Sequence, residues 1–154
     1  MNALRAILLL VAWAWPSGAD AQNARLELSV SPQVVNFTLG DPDANPIVVA
    51  PPVTVSYRIR GLQGQATWQL TVLASGDLVS GPSTVDISNV TWVATPAPPF
   101  QNGTLNRTVA QVVASGAGSE NPSQVGSFTF RMNNSWNYDS GIYSQTIVFT
   151  LSTP

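Results

Sequence analysis

The stretch V-T-V-S-Y-R-I-R, residues 53–60, alternates apolar and polar side chains without interruption. Successive side chains of a β-strand point to opposite faces, so Val53, Val55, Tyr57 and Ile59 share one face and their polar neighbours share the other. This two-residue period predicts a half-buried β-strand over residues 53–60.

The same period recurs along the chain. It is present in residues 26–30, 35–39, 68–72, 128–132 and 143–151. Turn-forming clusters such as DPDANP and NNSWNYDSG separate these segments, and no stretch of helical length has apolar residues at helical spacing. The pattern predicts an all-β fold, an antiparallel, immunoglobulin-like β-sandwich of about seven to nine strands, with a closed β-barrel as the alternative.

Two further segments alternate less regularly. Val85 and Ile87 are in one phase, whereas Val90 and Trp92 are in the other. We therefore expect a β-bulge near Ser88, because an extra residue reverses the facing of a strand. Residues 104–114 form a loosely alternating segment that we also expect to be a strand.

The beginning of the chain has the features of a secretory signal peptide. Arg5 provides a positive charge, residues 6–15 are apolar, and Ala19 and Ala21 fit the small-x-small cleavage rule. The apolar run is shorter than the roughly 20 residues that span a bilayer. We expect residues 1–21 to be removed, leaving residues 22–154 as one secreted domain at the cell surface, with no membrane span.

The composition restricts both partners and chemistry. The 154 residues contain no cysteine and no histidine. They include six Lys and Arg residues and eight Asp and Glu residues. Nucleic acid is not an expected partner, because no basic patch is available to neutralise phosphates. Thiolate nucleophiles, imidazole bases and disulfides are excluded, and we expect no cofactor.

Carboxylates remain as candidate catalytic groups. Asp77, Asp86, Glu120 and Asp139 all lie in or beside turn signals, where Asx turns and solvated side chains are common. The pattern does not place two of them in one cleft, as glycoside hydrolysis requires. We therefore expect no catalytic residue and no enzymatic activity.

One segment resembles half of a calcium-binding loop. Asp41, Asp43 and Asn45 have the spacing of the first ligands of such a loop. However, Pro46 stands where the loop needs glycine, and Pro52 stands where a bidentate glutamate belongs. We expect a proline-fixed turn here and no metal site.

The aromatic residues divide into two groups. Trp68 and Trp92 lie in alternating segments and are expected in the core. Trp136 and Tyr138 lie among polar residues in NNSWNYDSG. Exposed, they are binding candidates that could stack on sugar rings or on a protein partner; the alternative, which we favour, is that Trp136 covers the open end of the sandwich as a plug.

Two segments together resemble the WxL domain of bacterial surface proteins. ATWQLTVLASGDL contains Trp68 and Leu70, and the second segment, SGIYSQTIVFTLSTP, contains Tyr143, Phe149 and Leu151. Members of that family have one Trp-x-Leu motif in mid-domain and another near the C-terminus, after Gly-x-Tyr and before a proline. The similarity covers roughly residues 53–154, and Phe149 stands in place of the second tryptophan.

This resemblance implies a non-enzymatic bacterial surface protein that binds cell-wall glycan (peptidoglycan) or other surface proteins. An alternative from a different class is a structural subunit of a fibre, pilus or coat that self-associates by strand donation, with residues 22–30 as the donated arm. Leu26, Leu28 and Val30 would be the apolar side of that arm. A third hypothesis is a carbohydrate-binding partner of an enzyme, using Trp136 and Tyr138.

Overall fold

The computed structural model of the chain describes residues 4–16, 24–139 and 141–153. Two β-sheets, of seven and six strands, pack face to face around one hydrophobic core. The predicted all-β sandwich is therefore confirmed, and the strands do not close into a single barrel. No helix among the described residues is long and apolar enough to cross a membrane.

The seven-stranded sheet contains β1, an N-terminal strand. Its main path runs in the order β11 (Gln111–Ala117), β6 (Thr67–Ala74), β13 (Ile142–Thr153), β1 (Leu4–Pro16) and β3 (Val34–Leu39). Two short strands extend it beside β13, namely β7 (Leu78–Ser80) and β8 (Ser83–Val85).

The six-stranded sheet is built around the longest strand, β12. Its path runs in the order β10 (Gly103–Thr104), β9 (Val90–Thr95), β12 (Glu120–Asn133), β5 (Val53–Arg60) and β2 (Arg25–Ser31), and β4 (Ile47–Val49) pairs with β12. The described chain thus has thirteen strands rather than about seven to nine. The additional strands are β1 and four strands of two or three residues, which are too short to produce a visible period.

Residues 53–60 form β5 as the alternation predicts. Val53, Val55, Tyr57 and Ile59 are buried, while the residues between them are exposed or half-buried. The inward row of β5 therefore packs against the opposite sheet, as the burial of alternate residues requires.

A row of aromatic rings connects the two sheets through the core. Tyr57 lies 4.9 Å from Trp68 and 5.6 Å from Phe100, measured between ring centroids. Phe100 lies 5.3 Å from Phe128, which in turn lies 6.1 Å from Phe149. Three of these contacts are edge-to-face, the arrangement that the ring quadrupole favours. Trp68 and Trp92 are both 2 % exposed, so their predicted core positions are confirmed.

Two expectations about local structure are wrong. A 3₁₀ turn at Ile87–Asn89 replaces the expected bulge, and the Asp86 carboxylate caps it by accepting a 2.8 Å hydrogen bond from the Ser88 amide. This turn carries the chain from β8 in one sheet to β9 in the other, which explains the change of phase. Residues 104–114 are not one strand either, because a loop separates β10 from β11.

Candidate functional site

The structure places β1 between two other strands of the seven-stranded sheet. It pairs in parallel with β13 over twelve residue pairs, from Arg5 opposite Ile142 to Pro16 opposite Thr153. On its other side it pairs antiparallel with β3 from Leu4 to Leu9. Over these residues β1 is an interior strand, and both neighbours depend on it for their hydrogen-bond ladders. We call the position that it fills the β1 slot.

Three inward side chains anchor β1 in the slot. Ala6, Leu8 and Leu10 are 0, 0 and 2 % exposed. Ala6 lies opposite Phe37 of β3 and Tyr143 of β13, so the smallest side chain stands between two aromatic ones. The inward row of β1 is therefore small at its first position and large at the next two.

The neighbours of the two leucines complete the lining of the slot. Leu8 lies opposite Val35 of β3 and Gln145 of β13. Leu10 lies opposite Ile147, and its amide donates a 2.9 Å hydrogen bond to the Gln33 carbonyl. Val35 and Ile147 are themselves buried, and both leucines are at most 2 % exposed, so each leucine lies in a closed site.

From Ile7 to Trp13 the outward row of β1 is apolar as well, but its side chains are half-buried or exposed. Leu9 is 45 % and Trp13 is 56 % exposed. A shallow groove of about 390 Å³ on this side is lined by Ile7, Leu9 and Val79, together with residues 144–146. The outward side chains of β1 therefore contribute little to the core, and the inward row makes its buried contacts.

The anchoring of β1 weakens after Leu10. Beyond this residue the strand still pairs with β13, yet Ala12 and Ala14 are exposed. A cleft of about 420 Å³ opens here between β1 and β2, lined by residues 9–12, residues 28–30 and Gln33. Two alanines leave this end of the slot underfilled.

The signal for this site is weak in the sequence. Residues 6–10 belong to the apolar part of the expected signal peptide, and the residues between Ala6, Leu8 and Leu10 are also apolar. A continuous apolar run conceals a two-residue period, so alternation could not identify β1 as a strand. The prediction that residues 1–21 are removed on export stays a prediction.

Residues 22–30, the expected donor arm, are paired within the chain. β2 pairs antiparallel with β5 over seven residue pairs, from Arg25 opposite Arg60 to Ser31 opposite Thr54. It is an edge strand, and Leu26 and Leu28 are only half-buried. The arm is therefore not free in this chain; residues 22 and 23 lie outside the described part.

An ion pair fastens β2 to β5. Glu27 accepts a hydrogen bond from Arg60 and lies 3.1 Å from Arg25 Nε. The hydrogen bond from Arg60 lowers the pKa of the Glu27 carboxyl, and the positive charges nearby act in the same direction. The ionised form of Glu27 thus strengthens the attachment of this edge strand.

The residues shared with the WxL pattern are all buried. Trp68 and Leu70 lie in β6, Phe149 and Leu151 lie in the adjacent β13, and Leu70 is directly opposite Leu151. These four residues and Tyr143 are at most 2 % exposed. They form core contacts in this fold and do not face an external ligand.

The two loop aromatics, Trp136 and Tyr138, differ in their exposure to solvent. Trp136 is 68 % exposed, so the expectation that it plugs the sandwich is wrong. Its indole Nε1 donates a 3.2 Å hydrogen bond to Asp43 Oδ1. Tyr138 is half-buried and packs against the core, and burial raises the pKa of its hydroxyl. Trp136 alone is presented to solvent.

Hydrogen bonds hold the Trp136 loop against the 40–46 loop. Asn134 Nδ2 donates to the carbonyls of Gly40 and Asn45 at 3.1 and 3.0 Å. Asp41, in the segment that resembles a calcium loop, accepts a 2.9 Å hydrogen bond from the Asp43 amide, as in an Asx turn. The described residues contain no group of three or more His, Cys, Asp or Glu side chains that could hold a metal ion.

The four candidate carboxylates take part in separate local hydrogen bonds. Their partners are the Arg107 guanidinium for Asp77, the Ser88 amide for Asp86, the Gln124 amide group for Glu120 and the Ser83 hydroxyl for Asp139. Each of these contacts fixes a turn or joins neighbouring segments.

No protein-family model matches the chain, and no curated protein matches it either. A functional proposal must therefore be based on the β1 slot and on the loop that carries Trp136.

Proposed function

We propose that this protein is an exported, non-enzymatic subunit of a fibre, pilus or coat that is completed by a β-strand from another polypeptide. The observation that supports the proposal is the position of β1. Its residues 5–9, within the segment that the sequence predicts to be removed on export, are paired on both sides, with β3 and β13. Removal of this strand leaves a slot that another strand can occupy.

The free energy lost with β1 is comparable with the whole free energy of unfolding of a domain. Removing a buried leucine side chain costs about 2–5 kcal/mol, so Leu8 and Leu10 together represent roughly 4–10 kcal/mol. The whole free energy of unfolding of a domain is only about 5–15 kcal/mol. A processed chain therefore needs a replacement strand.

The slot also has the features that favour strand addition. Without β1, β13 and β3 have free N–H and C=O groups along their edges, and Phe37 and Tyr143 lose their cover. Paired strand edges with apolar pockets between them bind extended segments, because main-chain hydrogen bonds give affinity and the pockets give specificity.

An exchange experiment tests the proposal. A protease site is inserted between Ala21 and Gln22 of the full chain, and the folded protein is cut after a fluorophore has been attached to its N-terminus. Excess unlabelled peptide of residues 4–16, with the outward changes Ile7→Thr, Leu9→Thr and Val11→Thr for solubility, should displace the labelled fragment. Retention of the labelled fragment against any excess of peptide, in protein that stays folded, would contradict the proposal.

A disulfide gives the matched control. Ile7 lies opposite Ser144 on the outward face, and the chain has no cysteine of its own. Ile7→Cys with Ser144→Cys therefore creates one disulfide across neighbouring strands, within the Cα separation of about 4.4–6.8 Å that such bonds need. The oxidised control should retain the labelled fragment, and reduction should restore exchange.

A second candidate function is binding to the bacterial cell envelope, as the WxL resemblance suggests. Its support is the exposed indole of Trp136 beside the Asp43 carboxylate, since an aromatic face and a hydrogen-bond acceptor together suit a sugar ring. Folded protein should be retained on purified peptidoglycan, and Trp136→Ala should abolish retention. Val109→Ala, at a residue that is 59 % exposed elsewhere, serves as the control. Equal retention of wild type and Trp136→Ala would exclude this site.

A further inference from the structure

We infer that the β1 slot accepts residues 24–30 of a second copy of this chain, parallel to β13, with Ala24, Leu26 and Leu28 in the positions of Ala6, Leu8 and Leu10. This inference rests on the proposed function and specifies the donor, its register and its direction. The assembled state would then be a polymer in which each copy gives one strand and receives one.

The chain contains one short apolar pattern twice. Ala-x-Leu-x-Leu occurs at only two places in the chain, at residues 6–10 and at residues 24–28. Residues 6–10 occupy the slot, with Ala6 between Phe37 and Tyr143. Residues 24–28 therefore match the slot position by position, including the small residue that the two aromatic side chains require.

The outward rows of the two segments differ in polarity. In β1 the outward residues Ile7 and Leu9 are apolar, although Leu9 is 45 % exposed. In the register that aligns Ala24 with Ala6, Arg25 and Glu27 take these outward places. Charged side chains on the solvent face and apolar ones inside are typical of a half-buried strand, so residues 24–30 suit the slot better than β1 does.

Transfer into the slot increases the number of strands with which the segment pairs. As an edge strand, β2 is hydrogen-bonded on one side, to β5, and Leu26 and Leu28 are half-buried. In the slot, the same residues would pair on two sides, with β13 and β3, and both leucines would occupy fully closed sites. Transfer gives up the β5 ladder, the buried place of Val30 and the ion pair of Glu27 with Arg60. Once β1 is gone, transfer gains ladders with both β13 and β3, and Leu26 and Leu28 enter the closed sites of Leu8 and Leu10.

The position of Val30 favours a donor strand from another molecule over β2 of the same chain. In this register Val30 falls on the position of Ala12, opposite Phe149. Within one chain, Leu28 would face Gln33, so residues 29–32 would have to form the hairpin loop and Val30 could not pack there. A donor strand from another copy can continue through Val30 along β13, with valine in place of the smaller Ala12.

Peptide exchange tests the register. In the cut, labelled protein, a peptide of residues 22–31 should displace the labelled fragment, and Leu26→Ser in that peptide should weaken displacement by about tenfold or more, because one buried leucine is lost. Arg25→Ser changes an outward position and should have little effect. If the peptide of residues 4–16 displaces the fragment but that of residues 22–31 does not, the donor assignment is wrong while the strand-acceptor function stands. If neither displaces it, both fail.

Cross-linking tests direction and copy number. The register places Arg25 opposite Ser144, so cut protein carrying Arg25→Cys and Ser144→Cys should form a ladder of disulfide-linked multimers on a non-reducing gel. Arg25→Cys with Thr150→Cys is out of register by about six residues, or about 20 Å along the strand, and should give no ladder. Disulfide-linked monomer, or a ladder from the out-of-register pair, would overturn the inference.

Discussion

At the scale of single residues, two buried tyrosines differ in how their hydroxyls are satisfied. Tyr57 and Tyr143 are each 1 % exposed. The Tyr143 hydroxyl donates a 3.1 Å hydrogen bond to the Asp139 carbonyl, whereas the Tyr57 hydroxyl has no partner among the described residues. Burial raises the pKa of Tyr57, and the Glu120 carboxylate contributes in the same direction. Tyr57 thus remains neutral and keeps an unsatisfied polar atom in the core.

This contrast gives a paired prediction. Tyr57→Phe should leave the free energy of unfolding unchanged or raise it by about 1 kcal/mol, because it removes an unpaired buried hydroxyl. Tyr143→Phe should lower it by about 1 kcal/mol, because it leaves the hydrogen bond to Asp139 unmade. Denaturant titration of the full chain measures both values. A loss of stability in Tyr57→Phe at least as large as that in Tyr143→Phe would contradict this account.

Packing at the residue scale also explains a glycine. Gly116 of β11 lies opposite Trp68 of β6, and a Cβ on Gly116 would come within 2.6 Å of Trp68 Cζ2. The indole therefore lies over the glycine, in space that any side chain would fill. Trp68 is fixed by this contact and by Tyr57, which is consistent with a structural role for the Trp-x-Leu pattern in this chain.

At the scale of secondary-structure elements, the two N-terminal strands differ in how they are held. β1 is paired on both sides and anchored by buried side chains, whereas β2 is an edge strand held by β5 and by the ion pair of Glu27 with Arg60. The strand that is predicted to be removed is thus the better anchored of the two.

Neighbouring leucines test the seating of β1. Leu8→Ala in the full chain should lower the free energy of unfolding by about 2–5 kcal/mol, because the side chain is fully buried. Leu9→Ala should change it by less than about 0.5 kcal/mol, because Leu9 faces outward. Equal effects of the two changes in thermal or chemical unfolding would show that β1 does not occupy the slot in this register.

The attachment of β2 should depend on pH. The pKa of Glu27 in the folded chain lies below its ordinary value of 4.5, so the carboxylate stabilises the fold above that pH. This contribution is lost as the pH falls below 4.5 and through the lowered pKa of the folded state. Unfolding measured at several acidic pH values should show a smaller loss of stability in Glu27→Gln than in wild type. Parallel curves for the two proteins would argue against the ion pair.

At the scale of the whole molecule, the sandwich is complete only while β1 is present. The two sheets share one core, and Leu8, Leu10 and Ala6 belong to it. In the full chain β1 fills the slot of the sandwich. Without β1, the seven-stranded sheet lacks an interior strand.

Removal of β1 should thus change stability and association together. After cleavage between Ala21 and Gln22 and removal of the fragment, calorimetry should show a lower unfolding temperature, and size-exclusion chromatography should show association that increases with protein concentration. The disulfide-locked protein, cut in the same way, should behave like the uncut chain. An unchanged unfolding temperature and a monomer at all concentrations would mean that the slot is not needed.

Local alternation predicted much of this fold. The rows of β5, β6 and β3 followed from apolar residues at every second position, and so did the burial of Trp68 and Trp92. Prediction failed where the determining contact is distant in sequence. The phase change at Ser88 comes from a switch between sheets, and the exposure of Trp136 comes from a loop held by residues some ninety positions earlier.

The all-β class and most inward rows follow from the amino-acid sequence alone, because the two-residue period is a local property of an extended chain. The Ala-x-Leu-x-Leu pattern at residues 6–10 and 24–28 is also present in the sequence, but nothing local assigns it a partner. The tertiary structure alone shows that residues 6–10 lie beside Phe37 and Tyr143, and that residues 24–28 belong to an edge strand. The physical reason is that strand neighbours are chosen by pairing between segments far apart in the chain, which no local period can specify.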